Sequence, residues 1–159
     1  MQLPNGDVDE YEVADAAGQA EAITVLVGES LEGSSGGLGV SGGIPGAIAA
    51  SPRGVVVLSW LAAAGADAAF NEAELNVFGE TMAHEVGHYL GLFHPVEKDY
   101  QQWDALEDTV ECETESACDQ QLGRNFMFPY PICTNSGCES QRMISDDQRG
   151  VLHRFTGTL

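Results

Sequence analysis

The chain has 159 residues and a mass of 16.9 kDa, which fits one domain with a hydrophobic core. Its 25 acidic and 6 basic residues give a net charge of −19, which disfavours nucleic acids and anionic membrane surfaces but suits metal ions and cationic peptides. No apolar run reaches the ~18 residues of a membrane span, and the N-terminus lacks a signal-peptide pattern. We therefore expect either a protein that is not exported or the mature part of a longer precursor.

The first half of the sequence predicts two strands separated by a glycine-rich loop. Residues 1–20 are acidic and weakly patterned. The β-branched runs at 22–28 (AITVLVG) and 55–60 (VVVLSW) have the composition and length of strands. Between them, the many glycines of 33–46 predict a long loop, and the small residues of 61–70 predict a connector.

The clearest predicted element is a helix of about 19 residues that begins after Asn71. Asn71 and Glu74 have the spacing of a capping box, with asparagine in place of serine or threonine. Gly91 stands where a helix commonly ends in a left-handed residue. Apolar residues recur every four positions and define one buried face: Phe78, Met82, Val86 and Leu90.

The remaining sequence predicts an irregular region held by disulfides and followed by a short helix. Residues 95–143 show little periodicity but contain every cysteine, and Ser145 precedes a helix that extends towards Phe155. No C-x-x-C pair is present, so a zinc ribbon is disfavoured, and two disulfides and an oxidising compartment are favoured. Local pairing is preferred over crossed pairing of the four: Cys112 with Cys118, and Cys133 with Cys138.

Residues 84–94 (HEVGHYLGLFH) carry the chemistry. His84 and His88 are four residues apart, so both imidazoles project from one helix face and can share a tetrahedral metal ion. Gly91 allows a sharp turn that returns His94 as a third ligand. Three protein ligands leave one position open, as in catalytic zinc sites, and Glu85 is placed to hold a metal-bound water.

This pattern, HExxHxxGxxH, resembles the long zinc signature of the metzincin metallopeptidases. The resemblance implies a methionine turn beneath the metal, and NFMFPY (125–130) offers Met127 for that position. DALEDT (104–109), the cysteine-rich region and SDDQ (145–148) look most like the pappalysin group. Two positions depart from the expected patterns. Pro95 is more typical of serralysins, and Tyr130 stands one residue too late for the tyrosine that many metzincins use.

The resemblance implies an α+β zincin fold. We expect a small mixed β-sheet with an edge strand at one rim of the cleft, an active-site helix that ends at the Gly91 turn, and an irregular, disulfide-stapled C-terminal subdomain with a final helix. Residues 1–159 would form a single catalytic domain, with about 1–91 as the upper subdomain and about 92–159 as the lower one. Few residues precede the first strand, so we expect a minimal version of this domain or a front part outside this sequence.

The implied function is that of a secreted zinc-dependent endopeptidase that acts on proteins or peptides, including cationic ones. His84, His88 and His94 would bind one zinc ion, and Glu85 would act as general base and then acid. The alternative is a non-catalytic zinc-binding module for adhesion or substrate capture, which would not need Glu85. Asp104 and Asp108 are candidate calcium ligands or, alternatively, members of a solvated acidic loop.

Overall fold

A computed structural model describes residues 23–31, 37–46, 55–135 and 137–156, which form an α+β structure as predicted. The acidic segment predicted for residues 1–20 lies outside the described residues. Three strands come first in the described chain and are followed by a short helix and a long one. The second half adds two helices, a small hairpin and a second hydrophobic cluster.

A three-stranded mixed sheet lies at the N-terminal end of the described chain. Strand β1 (Thr24–Gly28) pairs in parallel with β3 (Val55–Ser59), and β2 (Gly39–Ser41) pairs antiparallel with the other side of β3. Val56 and Leu58 of the central strand are fully buried, which explains why this segment is a continuous apolar run. Both predicted strands and the mixed character of the sheet are confirmed.

Strand β2 corrects the prediction of a loop across 33–46. Residues 39–41 pair with β3 although their composition, Gly-Val-Ser, carries almost no strand signal. Backbone hydrogen bonds to a neighbour distant in sequence stabilise this short edge strand. Local composition does not report such pairing.

The predicted connector at 61–70 is also partly helical. Helix α1 (Trp60–Ala64) begins where the Ser59 side chain accepts a hydrogen bond from the backbone N–H of Ala62, and a 3₁₀ turn (Gly65–Asp67) follows. Alanine has the highest intrinsic helix propensity, so a run of alanines behind a serine cap forms a helical turn. Trp60 therefore belongs to the helix rather than to the preceding strand.

Helix α2 (Glu72–Tyr89) is the element that the sequence predicts best. The capping box is present in both directions, because the Asn71 side chain accepts from Glu74 N and the Glu74 side chain accepts from Asn71 N. The helix ends at Leu90, and Gly91 adopts a positive φ of 97°. The predicted face packs against the sheet through these residues: Phe78, Met82, Val86 and Leu90.

The region after α2 is less irregular than predicted. Helix α3 (Glu115–Leu122) begins at Thr114, whose side chain accepts a hydrogen bond from Ala117 N. One buried face of this helix supplies Cys118 and Leu122 to a hydrophobic cluster with Phe128. The eight residues of α3 contain mostly polar side chains, so this short buried face gives too little periodicity for recognition from sequence.

Two local disulfides confirm the preferred pairing. Cys112–Cys118 is buried in the cluster beside α3, whereas Cys133–Cys138 joins the exposed hairpin strands β4 (Cys133–Thr134) and β5 (Gly137–Cys138). Each bridge closes a short loop, which stabilises a chain segment that has few hydrophobic residues of its own.

Helix α4 (Asp146–Thr156) closes the described chain, as predicted. Gln148 N donates to the Ser145 hydroxyl, while Ser145 N donates to the Gln148 side chain, which forms a second reciprocal cap. Asp108 adds a carboxylate that accepts from Ser145 Oγ at 2.7 Å and from Asp147 N at 2.9 Å. Negative charge at a helix N-terminus is favourable, so Asp108 fixes the start of α4.

Candidate metal centre

Helix α2 and the turn after it bring three histidines together. His84 and His88 lie one helical turn apart on α2. The helix stops because Gly91 N donates to His88 O and Leu92 N donates to Gly87 O, after which the chain reverses. This reversal places His94 against the two helical histidines, as the spacing predicts.

The Nε2 atoms of the three imidazoles converge. His94 Nε2 lies 3.1 Å from His84 Nε2 and 3.0 Å from His88 Nε2. In a tetrahedral zinc site with Zn–N bonds of ~2.0–2.1 Å, ligand nitrogens are about 3.3 Å apart, so only small shifts are needed to fit the ion. Among the described residues, these three form the one group of histidine, cysteine or acidic side chains suited to holding a metal ion.

Backbone carbonyls fix the orientation and tautomer of the two helical histidines. His84 Nδ1 lies 2.9 Å from Phe126 O, and His88 Nδ1 lies 2.7 Å from Leu92 O. A carbonyl oxygen can only accept a hydrogen bond, so each Nδ1 carries the hydrogen. In the neutral imidazole, Nε2 then presents a lone pair to the centre of the cluster.

His94 is oriented by a carboxylate instead. Its Nδ1 lies 3.1 Å from Glu97 Oε2, and carboxylate–histidine pairs of this kind commonly support metal ligands. With all three Nδ1 atoms engaged as donors, three Nε2 lone pairs face one another. Such an arrangement is repulsive without a cation between them, so this donor set fits a zinc-type metal ion.

The electrostatic environment also favours neutral imidazoles. Burial, reinforced by repulsion from His88 and His94, lowers the pKa of His84 to about 3. Burial likewise lowers the pKa of His88, although its hydrogen bond to Leu92 O opposes the shift. The neutral form is the one that binds a metal ion, so both side chains are in that form at neutral pH.

Glu85 lies beside the histidines and beneath strand β2. It is only 8% exposed, and burial raises its pKa to about 7, while a hydrogen bond from Ser41 N partly opposes that rise. Gly39 allows β2 to approach so closely, since a Cβ at that position would lie 2.8 Å from Glu85 Cγ. Sequence reasoning missed the contributions of Ser41 and Gly39 because both fall within the predicted loop.

Met127 packs against helix α2 at Gly87. Its side chain is fully buried, and its Sδ atom occupies the space that a Cβ would need at Gly87, the residue before His88. Met127 N donates to Asn125 Oδ1, and the Asn125 amide exchanges two hydrogen bonds with the fully buried amide of Gln148. The Asn125–Gln148 pair thus ties this turn to α4, a contact that no spacing in the sequence indicates.

Tyr130 has partners other than the histidines. Its hydroxyl lies 2.5 Å from the hydroxyl of Tyr100 and donates to Asp119 Oδ1 at 2.9 Å. Burial and both hydrogen bonds raise the pKa of Tyr130 well above its usual value. Tyr130 thus lines the cleft while its hydroxyl is engaged with Tyr100 and Asp119.

A cleft of ≈ 640 Å³ opens over the histidines. Strand β2, from the segment predicted as a loop, lines one side rather than either of the two predicted strands, and α2 lines the base. The segment 128–131, which follows Met127, lines the cleft as well.

The calcium prediction is not tested by these contacts. Asp104 Oδ1 accepts hydrogen bonds from Leu106 N and the Thr109 hydroxyl, while its buried Oδ2 has no partner among the described residues. Burial raises the pKa of Asp104. Asp108 already holds the start of α4, so the two carboxylates have separate structural roles.

Comparison of the chain with protein-family models, with curated proteins and with solved structures gave no significant match. Within the described residues, no helix combines the length and the apolar character that crossing a membrane requires. The two disulfides fit an extracellular protein.

Proposed function

We propose that the protein is a secreted zinc-dependent endopeptidase of metzincin type, with the pappalysin group as the nearest resemblance. The observation that carries this proposal is the convergence of three Nε2 lone pairs beside the buried carboxylate of Glu85, at the base of an open cleft. When bound there, zinc lowers the pKa of a coordinated water and polarises the scissile carbonyl.

In this mechanism the protein residues would position the metal ligands, transfer the proton and bind the substrate backbone. His84 and His88 hold their positions through the carbonyls of Phe126 and Leu92, so the metal ligands need little reorganisation. A zinc ion held by the three histidines would keep a position for water or for the substrate carbonyl, and the cleft lies over these histidines.

Glu85 moves the proton. Its carboxylate would accept a proton from the attacking water and donate it to the leaving amine after the tetrahedral stage. Burial raises its pKa to about 7, which suits a group that must both accept and release a proton near neutral pH. The Ser41 N–H orients the carboxylate for both steps.

Strand β2 supports action on extended peptides. Among the described strands it pairs only with β3, so its other edge presents backbone N–H and C=O groups on the cleft side. A substrate backbone can add to such an edge by β-augmentation and lie across the histidines.

The alternative function is zinc-dependent adhesion or substrate capture without catalysis. Such a module needs the three histidines but not an acidic side chain in the same cleft. A buried Glu85 carries a desolvation cost that metal binding alone does not require, which favours the enzyme.

The decisive variants are Glu85→Gln and His88→Ala. We expect Glu85→Gln to retain one zinc ion per chain, because the histidines supply all protein ligands, and to lose ~10²–10⁴-fold in peptide hydrolysis. His88→Ala should lose zinc and activity together. The exposed Glu113→Gln serves as a control with the same charge change and should retain both. Zinc-loaded protein that cleaves no peptide or unfolded protein would instead support the capture module.

A further inference from the structure

Lys98 is an unusual cation within the candidate site. It is the single lysine of the chain, and it lines the cleft together with His84, His88 and His94. Its side chain is exposed, so its ammonium group is accessible to a ligand in the cleft. Apart from the histidines, no other basic residue lines this cleft among the described residues.

The acidic residues near Lys98 are directed elsewhere. Glu97 contacts His94, and Asp99 accepts a hydrogen bond from Gln101 N. Glu80, which also lines the cleft, accepts from Arg142 at 2.9 Å. None of the ion pairs between described residues includes Lys98.

This lack of an ion pair contrasts with three of the four described arginines. Arg124, Arg142 and Arg149 each form an ion pair with a carboxylate of the same chain, whereas Arg154 donates to the carbonyl of Gly150. In a protein with 25 acidic residues, pairing is the expected outcome for a cation. Lys98 lines the cleft without such a partner among the described residues.

We propose, on the basis of the peptidase function above, that Lys98 forms a subsite for a carboxylate of the substrate. The carboxylate belongs either to an acidic side chain near the scissile bond or to the C-terminus of a peptide. Lysine is a compact point charge on a flexible stem, which suits a single carboxylate in either position.

The net charge of −19 acts over a longer distance than direct contact with Lys98. It repels acidic peptides and attracts cationic ones during approach, but screening limits this field to ~8 Å at physiological ionic strength. Contact with Lys98 is short-range and survives screening better. The preference for a carboxylate should therefore be measured at about 0.15 M salt, where the Debye length is short.

The test uses two pairs of peptides. One pair differs by Glu against Gln beside the scissile bond, and the other by a free against an amidated C-terminus. We expect the zinc-loaded protein to favour the carboxylate member of one pair by about fivefold in kcat/KM, the upper range for an exposed ion pair. The pair that shows this preference identifies the source of the carboxylate.

Variants assign the preference to Lys98. Lys98→Met keeps most of the apolar stem and should abolish the preference, whereas Lys98→Glu should reverse it towards a peptide with Lys at the same position. Arg124→Met, which removes a cation outside the cleft lining, is the control and should leave the preference intact. Zinc content and thermal melting confirm that each variant folds and holds metal.

Two results would overturn the proposal: no preference in either pair, or a preference that Lys98→Met retains. If the zinc-loaded protein hydrolyses none of the peptides, the proposed peptidase function fails. The subsite is then tested by binding of the same peptides, labelled with a fluorophore. A carboxylate preference in binding that disappears in Lys98→Met supports the subsite, and equal binding refutes it.

Discussion

At the scale of single residues, His94 differs from the other two metal-ligand candidates. His84 and His88 lie on a helix and donate to backbone carbonyls. His94 lies on an irregular segment, and its Nδ1 donates to Glu97, whose side chain is 40% exposed. The third ligand therefore depends on a side chain that substitution can remove without disturbing the backbone.

Glu97→Ala should weaken zinc binding by about 10–100-fold, because a carboxylate that orients a histidine ligand also raises its basicity. Glu97→Gln, which keeps a hydrogen-bond acceptor, should lose less. Competition with a chromophoric chelator measures both affinities. The exposed Glu113→Ala is a control for the change in net charge. Wild-type affinity in Glu97→Ala, or an equal loss in Glu113→Ala, would contradict this role.

At the scale of elements, those stabilised by contacts close in sequence were predicted correctly, and those stabilised by distant contacts were missed. Helix α2 was predictable because its capping box, apolar face and Gly91 turn are local features. Strand β2 and helix α3 were missed, since pairing with β3 and packing against the second hydrophobic cluster stabilise them. Strand β2, which covers Glu85, is thus a part of the cleft that could not be predicted from the sequence.

Substitution of Gly39 tests the importance of that strand. A Cβ at this position would lie 2.8 Å from Glu85 Cγ and 2.9 Å from Leu58 Cδ2, so Gly39→Ala must displace β2 or Glu85. Overpacking of this kind costs about 1–3 kcal/mol of stability. We expect peptide hydrolysis to fall at least ~10-fold, since small misplacements of a reacting group are costly, while zinc affinity stays within about twofold.

Val27→Ala is the control, because Val27 lies on strand β1 with 54% of its surface exposed and outside the cleft lining. It should retain both zinc binding and hydrolysis. Both quantities are measured on the same preparations by chelator competition and by kcat/KM for a fluorogenic peptide. Full activity in Gly39→Ala would show that the close approach of β2 to Glu85 has no catalytic importance.

At the scale of the whole molecule, the candidate site combines a short sequence window with distant supports. The three histidines and Glu85 lie within residues 84–94, so the grouping of the histidines could be predicted from sequence. Their supports come from far along the chain: the carbonyl of Phe126, the N–H of Ser41, and the buried amide of Gln148. Such contacts depend on tertiary packing, and no residue spacing encodes them.

We propose that His84, His88 and His94 hold one zinc ion with a position open to water. Zinc X-ray absorption of the loaded protein measures this coordination directly. We predict three imidazole nitrogens and one further oxygen at ~2.0–2.1 Å, with no sulfur neighbour, because the cysteines form disulfides. A spectrum with sulfur ligands, with fewer than three imidazoles, or with no stoichiometric zinc would contradict the account.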